Sequence, residues 1–322
     1  MAAAIKQLVG TFLAFAIVLF TSATALADQP APATTQPADE GGTDPKPLVP
    51  GAQVVTLWPK GSPALRALPG YDKPEQFNMS KGTPLRVQSV VNIHNPSIEV
   101  HLAPADKANG MAVIVVAGGG NNTCNVGGEG TDIAEWLNGL GIHAFVERYR
   151  LRPYDSTIDA LADTQRSFRV VRARAKEWGV DPKRIGIMGF SAGGEQAAWV
   201  TLKFDAGDPQ ASDPVERESC RPDFSVLVYA GWLRMDLSKV PKNAPPTFLT
   251  SAGVDDAFHA RQTVEFYNAL FEAKIPAELH IYGHGGHGGG IGPRKGIPFG
   301  TWHLRFIEWA KDLGLMEVKP AQ

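Results

Sequence analysis

The chain has 322 residues, 43% of them hydrophobic and 20% charged, with a formal net charge of −2, which is enough for one large domain with a well-buried core. The near balance of charge and a sequence pI near 6.5 exclude a global field that would recruit nucleic acid or an anionic membrane surface. Small or neutral ligands fit better.

Lys6 precedes an apolar segment over 8–20, and Ala25, Leu26 and Ala27 stand before Asp28. That succession predicts a secretory signal peptide over 1–27, and so an exported protein, periplasmic or extracellular. The apolar core is short for a spanning helix, so no stable membrane span is expected after cleavage, with an uncleaved anchor as the alternative. Residues 28–50, rich in Pro, Ala, Thr, Gly and Asp, read as a linker. Residues 51–318 are expected to form one domain.

Within that domain, 53–58 and 89–101 are strand-like, the second interrupted by Asn95 and Pro96. A continuous apolar run over 111–116 ends in Gly118, Gly119 and Gly120; Ile133, Trp136, Leu137 and Leu140 then recur at helical spacing, and 142–146 is again a strand. Residues 159–178 form an amphipathic helix through Leu161, Phe168, Val171 and Ala175, closed by Gly179 and Pro182. Strands follow at 184–190, 224–229, 246–250 and 277–282, with a helix over 260–271 that places Val264, Tyr267, Leu270 and Phe271 on one face, and a last helix over 301–313. Six buried strands separated by helices imply an α/β fold with a mostly parallel sheet covered on both faces. Sites in such sheets gather at the carboxyl ends of the strands. The polar loop over 203–223, with Pro209, Pro214 and Pro222, is either a cover over the site or a plain surface excursion.

Ser191 stands in a GxSxG frame between the 184–190 strand and a helix opening at Ala192. Read as a sharp strand-to-helix turn, the frame presents the hydroxyl as a nucleophile; read plainly, the serine only caps a helix. Asp255 and Asp256 follow the 246–250 strand, and Asp256 is the better candidate acid by its register after Gly253, unless both aspartates merely cap the next helix. His284 and His287 lie in the glycine-rich loop after the 277–282 strand. His287 is the candidate base and His284 packs or faces water. The order serine, aspartate, histidine is that of the α/β-hydrolases. Gly119, Gly120 and Ala192 are candidates for an oxyanion hole. The triple glycine lacks the spacing of a nucleotide site, and no Cys or carboxylate cluster completes a metal site around the two histidines, so neither metal nor cofactor is expected. Cys124 and Cys220, in an exported chain, either pair as a disulfide or remain free and buried.

The triple glycine, Tyr149 to Leu151 reading YRL, the segment DTQRSFRVVRARAKEWGVDPKRIGIMGFSAGGE over 163–195 and GGHG around His287 together resemble the α/β-hydrolase-fold carbohydrate esterases, the acetylxylan-esterase-like enzymes in particular, whose homologues are sometimes labelled xylanases. The resemblance covers roughly 53–315. It implies a secreted, metal-free serine esterase without a large cap domain that deacetylates plant or algal polysaccharide, with Ser191, Asp256 and His287 as nucleophile, acid and base. Many relatives place an aromatic residue straight after the triple glycine, where this chain has Asn121, Asn122 and Thr123. Asn121, Tyr149 and Glu195, with Arg150 and Tyr154, are candidates for holding the sugar, though helix packing or surface charge explains each equally well. Two other functions compete: a general carboxylesterase or lipase on small lipophilic esters, and a non-catalytic exported binding protein on a hydrolase scaffold.

Overall fold

In this computed structural model the described residues are 44–66, 68, 71, 73–231, 235–292 and 297–316. The expected signal peptide and most of the expected linker lie outside them. The strands are β1 Gln53–Thr56, β2 Gln76–Met79, β3 Val87–Val91, β4 Ser97–His101, β5 Ala112–Val116, β6 His143–Arg148, β7 Ile185–Phe190, β8 Ser225–Val228, β9 Thr247–Ala252 and β10 Ala277–Tyr282. Runs of β-branched residues build the central strand β5 and much of β3, β8 and β1, and aromatic residues contribute to β2, β6, β7 and β10. The helices are α1 Asp132–Gly139, α2 Asp159–Ala173, α3 Ala175–Trp178, α4 Ala192–Leu202, α5 Ala257–Glu272 and α6 Trp302–Asp312. No described helix is long and apolar enough to cross a membrane.

Eight strands join in one sheet in the order β1-β4-β6-β5-β7-β8-β9-β10. The six from β6 to β10 are parallel, and β4 runs against both β1 and β6. Strands β5 to β9 are buried along their whole length, as sheets covered on both faces require. The expectation of six buried strands fails only at β10, which is the sheet edge and half-buried. The strand-like stretch over 89–101 divides at Asn95 and Pro96: β3 pairs with β2 in a separate hairpin, while β4 enters the main sheet. That hairpin is tied to the loop after the triple glycine, where Val90 and Cys124 exchange backbone hydrogen bonds of 2.9 and 2.8 Å.

Several local expectations are corrected. The inward stripe of α5 is Ala260, Thr263, Phe266 and Leu270; Val264 and Phe271 are exposed. Periodicity cannot rank two apolar stripes that overlap, and Thr263 earns its buried place by donating to the His259 carbonyl at 2.8 Å. The packed domain begins within the range read as linker: Leu48 is buried, the N–H groups of Leu48 and Val49 bond the Glu99 carboxylate, and Arg148 donates to the Lys46 carbonyl at 2.8 Å. Cys124 and Cys220 are free and buried, which overturns the disulfide. Cys124 follows the carboxyl end of β5 and Cys220 precedes the amino end of β8, so they belong to opposite ends of the sheet.

The loop over 203–223 is a surface excursion and covers nothing catalytic. It runs from the far end of α4 to the start of β8, at the amino ends of the strands. Three arginines of α2 hold it there: Arg166 reaches Asp213 at 2.6 Å and Glu216 at 2.5 Å, Arg169 reaches Asp205 at 2.8 Å, and Arg172 reaches Asp223 at 3.2 Å.

Candidate active site

Ser191 lies between β7 and α4 with φ 51° and ψ −117°, a strained conformation for a residue with a side chain. The strain persists because the surroundings leave one solution. A Cβ on Gly193 would overlap the carbonyls of Val116, the last residue of β5, and of Ala117 beyond it, and one on Gly189 would overlap the Gly193 carbonyl. The Ser191 N–H donates to the Val228 carbonyl at 3.1 Å, so the turn is pinned between both neighbouring strands.

The structure brings the three predicted residues together. His287 Nε2 lies 2.8 Å from Ser191 Oγ, and His287 Nδ1 lies 2.8 Å from Asp256 Oδ2. Asp256 is buried and ends a short 3₁₀ turn, Val254–Asp256, directly after β9. Asp255 takes a different part: its carboxylate accepts the Gly285 N–H at 2.9 Å and pairs with the exposed His284 at 3.2 Å, anchoring the histidine loop.

The glycine run that carries two of the predicted oxyanion donors reaches the serine, since a Cβ on Gly118 would lie 2.8 Å from Ser191 Cβ. Gly118 places its N–H on Glu129 Oε2 at 2.8 Å, which turns the glycine run; Gly119 and Gly120 then have φ of 132° and 62°. Their N–H groups have no partner among the described residues, and Ala192, as the first residue of α4, has no acceptor within its helix. These three N–H groups are left uncommitted, and that of Ala192 adjoins the serine.

Three supporting side chains escape the sequence motifs. Glu129 is buried, and that burial raises its carboxyl above the usual range, against hydrogen bonds from Gly118 and Tyr229 that oppose the rise. Tyr229, at φ 38°, donates its hydroxyl to Glu129 Oε1 at 2.8 Å and accepts the Gly290 N–H at 2.9 Å. One tyrosine thus joins the glycine run to the histidine loop. His259 is the third: its Nδ1 lies 2.6 Å from Asp256 Oδ1, and its ring stacks on His287 with centroids 4.1 Å apart. Its spacing, three residues after Asp256 at a helix start, is the one signal that points to it beforehand. Asp256, His259 and His287 bring possible metal-ligand atoms within 4.8 Å of one another, but both Nδ1 atoms are committed to the Asp256 carboxylate, and the group is a hydrogen-bonded relay.

Among the predicted sugar contacts, Asn121 and Glu195 line an open pocket of about 640 Å³ with Tyr71, Arg152, Pro153, Tyr154, Asp155, Ser156 and Thr157. Asn121, at φ 60°, is held by its carbonyl accepting the Arg152 N–H at 2.8 Å, and its Nδ2 lies 3.5 Å from Glu195 Oε2. Its buried Oδ1 has no partner among the described residues. Tyr149 is a correction: it is fully buried and donates to the Ala117 carbonyl at 3.1 Å, bracing the end of β5 from behind. Arg150 is likewise structural, paired with buried Asp163 at 2.7 Å, and this pair sets the loop whose Tyr154 faces the pocket. A second pocket of about 410 Å³, lined by Trp58, Lys60, Arg66 and His94 among others, shares Tyr71 and Tyr154 with the first.

A sheet of this order, with a nucleophile on the β7–α4 turn and acid and base after the next parallel strands, agrees with the sequence family described as the alpha/beta hydrolase fold, which matches residues 113–277. The chain belongs to that family. It is 32% identical over 240 residues to an acetylxylan esterase of Xylanibacter ruminicola, covering 65% of this chain and 45% of that one. It is 29% identical over 208 residues to endo-1,4-beta-xylanase B of Butyrivibrio fibrisolvens, covering 55% and 32%. The chain therefore spans less than half the length of these curated relatives. Among solved structures, the acetyl ester-xyloside bifunctional hydrolase of Caldicellulosiruptor lactoaceticus aligns with a TM-score of 0.68 at 30% identity, over 84% of this chain and 100% of that one. Thermogutta terrifontis esterase 2, at 20% identity and a TM-score of 0.60, shares the fold.

Proposed function

We propose that this α/β hydrolase is an exported serine esterase that removes acetyl groups from an acetylated polysaccharide or oligosaccharide, such as xylan, through an acyl-enzyme. The observation that carries the reading is the continuous relay from Ser191 Oγ through His287 to Asp256, with both links at 2.8 Å. His287 Nε2 takes the serine proton as Oγ attacks the acetyl carbonyl, and the N–H groups of Gly119, Gly120 and Ala192 hold the resulting oxyanion. The imidazolium returns that proton to the leaving sugar oxygen as the C–O bond breaks. Water, deprotonated by the same nitrogen, then attacks the acetyl-serine and releases acetate.

Substrate size supports a glycan over a simple acetate ester. A pocket of about 640 Å³ with a second of about 410 Å³ adjoining it is in the range that takes ligands much larger than an acetyl group. Glu195 lines the first, and its carboxylate is an acceptor suited to hydroxyl groups. The relatives named for acetylxylan and acetyl-xyloside chemistry point the same way. Export rests on the basic, apolar and small-residue pattern over 1–27.

The test is acetate release from acetylated xylan, run beside a series of 4-nitrophenyl acyl esters with Ser191→Ala as control. Serine-dependent acetate release, with a steep fall from acetyl to longer acyl chains, is expected. Activity on long acyl esters with none on the glycan would replace this reading with a general carboxylesterase.

A further inference from the structure

We infer that His259 is a positioning residue of the relay: by donating from Nδ1 to Asp256 Oδ1 and lying flat against His287, it fixes both the carboxylate and the plane of the base. The inference rests on the serine-esterase reading above. A triad aspartate needs only one of its oxygens for the histidine it orients. Here each oxygen takes one imidazole, at 2.6 Å from His259 and 2.8 Å from His287. Rotation of the carboxylate would break both bonds at once.

The stacking adds a second restraint. The two rings are 4.1 Å apart at 22°, and Tyr229 meets the His287 ring edge-on with centroids 5.0 Å apart. The base is thus confined by His259 and by Tyr229 while the loop carrying it is rich in glycine. His259 is itself held, with Phe258 edge-on to its ring at 5.0 Å and its carbonyl accepting from Thr263 at 2.8 Å.

The charge of His259 matters, because His287 becomes cationic during the reaction. The titratable groups around it are Asp256 and His287, and Glu129 interacts electrostatically with His287; Asp255 is turned to His284. Burial lowers the His259 pKa, and His287 lowers it further, against the pull of Asp256. At neutral pH His259 is therefore an uncharged ring whose single N–H goes to the carboxylate. An uncharged π face accommodates the imidazolium that forms beside it, whereas a second cation would repel it.

Two variants separate the hydrogen bond from the ring. His259→Phe keeps a flat ring and loses the N–H; His259→Asn keeps an N–H near the position of Nδ1 and loses the stack. The readouts are kcat and KM for 4-nitrophenyl acetate between pH 5 and 9, the rate of covalent labelling by a fluorophosphonate, and the thermal midpoint. For His259→Phe, kcat is expected to fall about ten- to a hundredfold with KM little changed, as for loss of a hydrogen bond to a charged group. The acid limb of kcat/KM should move to higher pH, because an Asp256 carboxylate relieved of one donor turns fuller charge toward the base. His259→Asn should recover most of the rate and return the limb. An unmoved limb with wild-type labelling in His259→Phe would overturn the inference, as would equal losses in both variants accompanied by a lower thermal midpoint. Wild-type protein inert to both ester and phosphonate would instead overturn the esterase reading itself.

Discussion

Around Ser191 the backbone leaves no room, while directly beside His287, at Gly286 and Gly288, it leaves a great deal. Carbonyls at the end of β5 fill the space that a side chain at Gly193 would need, and the serine is fixed by sterics. The histidine loop has positive φ at Gly285, Gly286, Gly288, Gly289 and Gly290, and a Cβ on Gly286 or Gly288 would touch nothing within 4 Å. That loop is held by discrete hydrogen bonds: Asp255 to Gly285, Tyr229 to Gly290, and Trp302 Nε1 to the Gly290 carbonyl at 3.0 Å. Overlap costs free energy steeply with distance, whereas each hydrogen bond adds a modest increment. The nucleophile should therefore tolerate almost no change and the base should fail by degrees.

The largest effect is expected at the rigid end. Gly193→Ala forces a methyl group into the β5 backbone and should cost more than about 4 kcal/mol or prevent folding, read as a urea midpoint. Stability within about 1 kcal/mol of wild type would break the comparison, since the elbow would then have slack.

A buried acid in β6, outside the relay, provides a contrast through pH. Glu147 is fully buried; burial, aided by Asp163, pushes its carboxyl from the ordinary 4.5 up to about 8, against the hydrogen bond from Thr164. Between those values the native state holds a proton that the unfolded chain has lost, so this group lowers stability as pH rises through the window. Glu147→Gln should therefore gain on wild type between pH 5 and pH 8 by an amount on the order of 2 kcal/mol, measured as the difference in unfolding free energy. A constant difference at both pH values would show that burial does not govern this carboxyl.

Smaller effects are expected at the flexible end. Tyr229→Phe strips one partner each from Glu129 and the Gly290 N–H, and kcat should fall about tenfold with a stability loss of about 1 to 2 kcal/mol. An unchanged kcat would mean that the loop does not depend on its tether. Asp255→Asn weakens an exposed anchor whose carboxyl lies below the usual range through its bonds to Gly285 and His284; kcat should change by less than about threefold, and less still at high salt. A larger loss would move the fixing of the base from Tyr229 and His259 to the loop surface.

Much of this arrangement was legible residue by residue. The frame around Ser191 reads directly, because the tight turn demands glycines at fixed offsets. Asp256 and His287 follow from their positions after successive parallel strands. Tyr149 misleads: a tyrosine after a strand end can face the pocket or the core, and the direction depends on packing by neighbours far along the chain. The cysteines leave two readings open for the same reason, since their separation is set by which end of the sheet each loop leaves. His259 stands three residues from a candidate acid, yet a helical histidine at that spacing has meaning only once His287 arrives from 28 residues downstream.

Local sequence by itself determined the alternation of strands and helices, the elbow, and the order of nucleophile, acid and base, because periodicity and turn geometry are short-range properties of the backbone. Only the tertiary structure decided what surrounds them: the second histidine on Asp256, the Glu129–Tyr229 tether, the inward face of α5 and the pocket beside Asn121. Each of these joins residues distant in the chain, and the free energy that selects such contacts comes from burial and pairing across the assembled sheet.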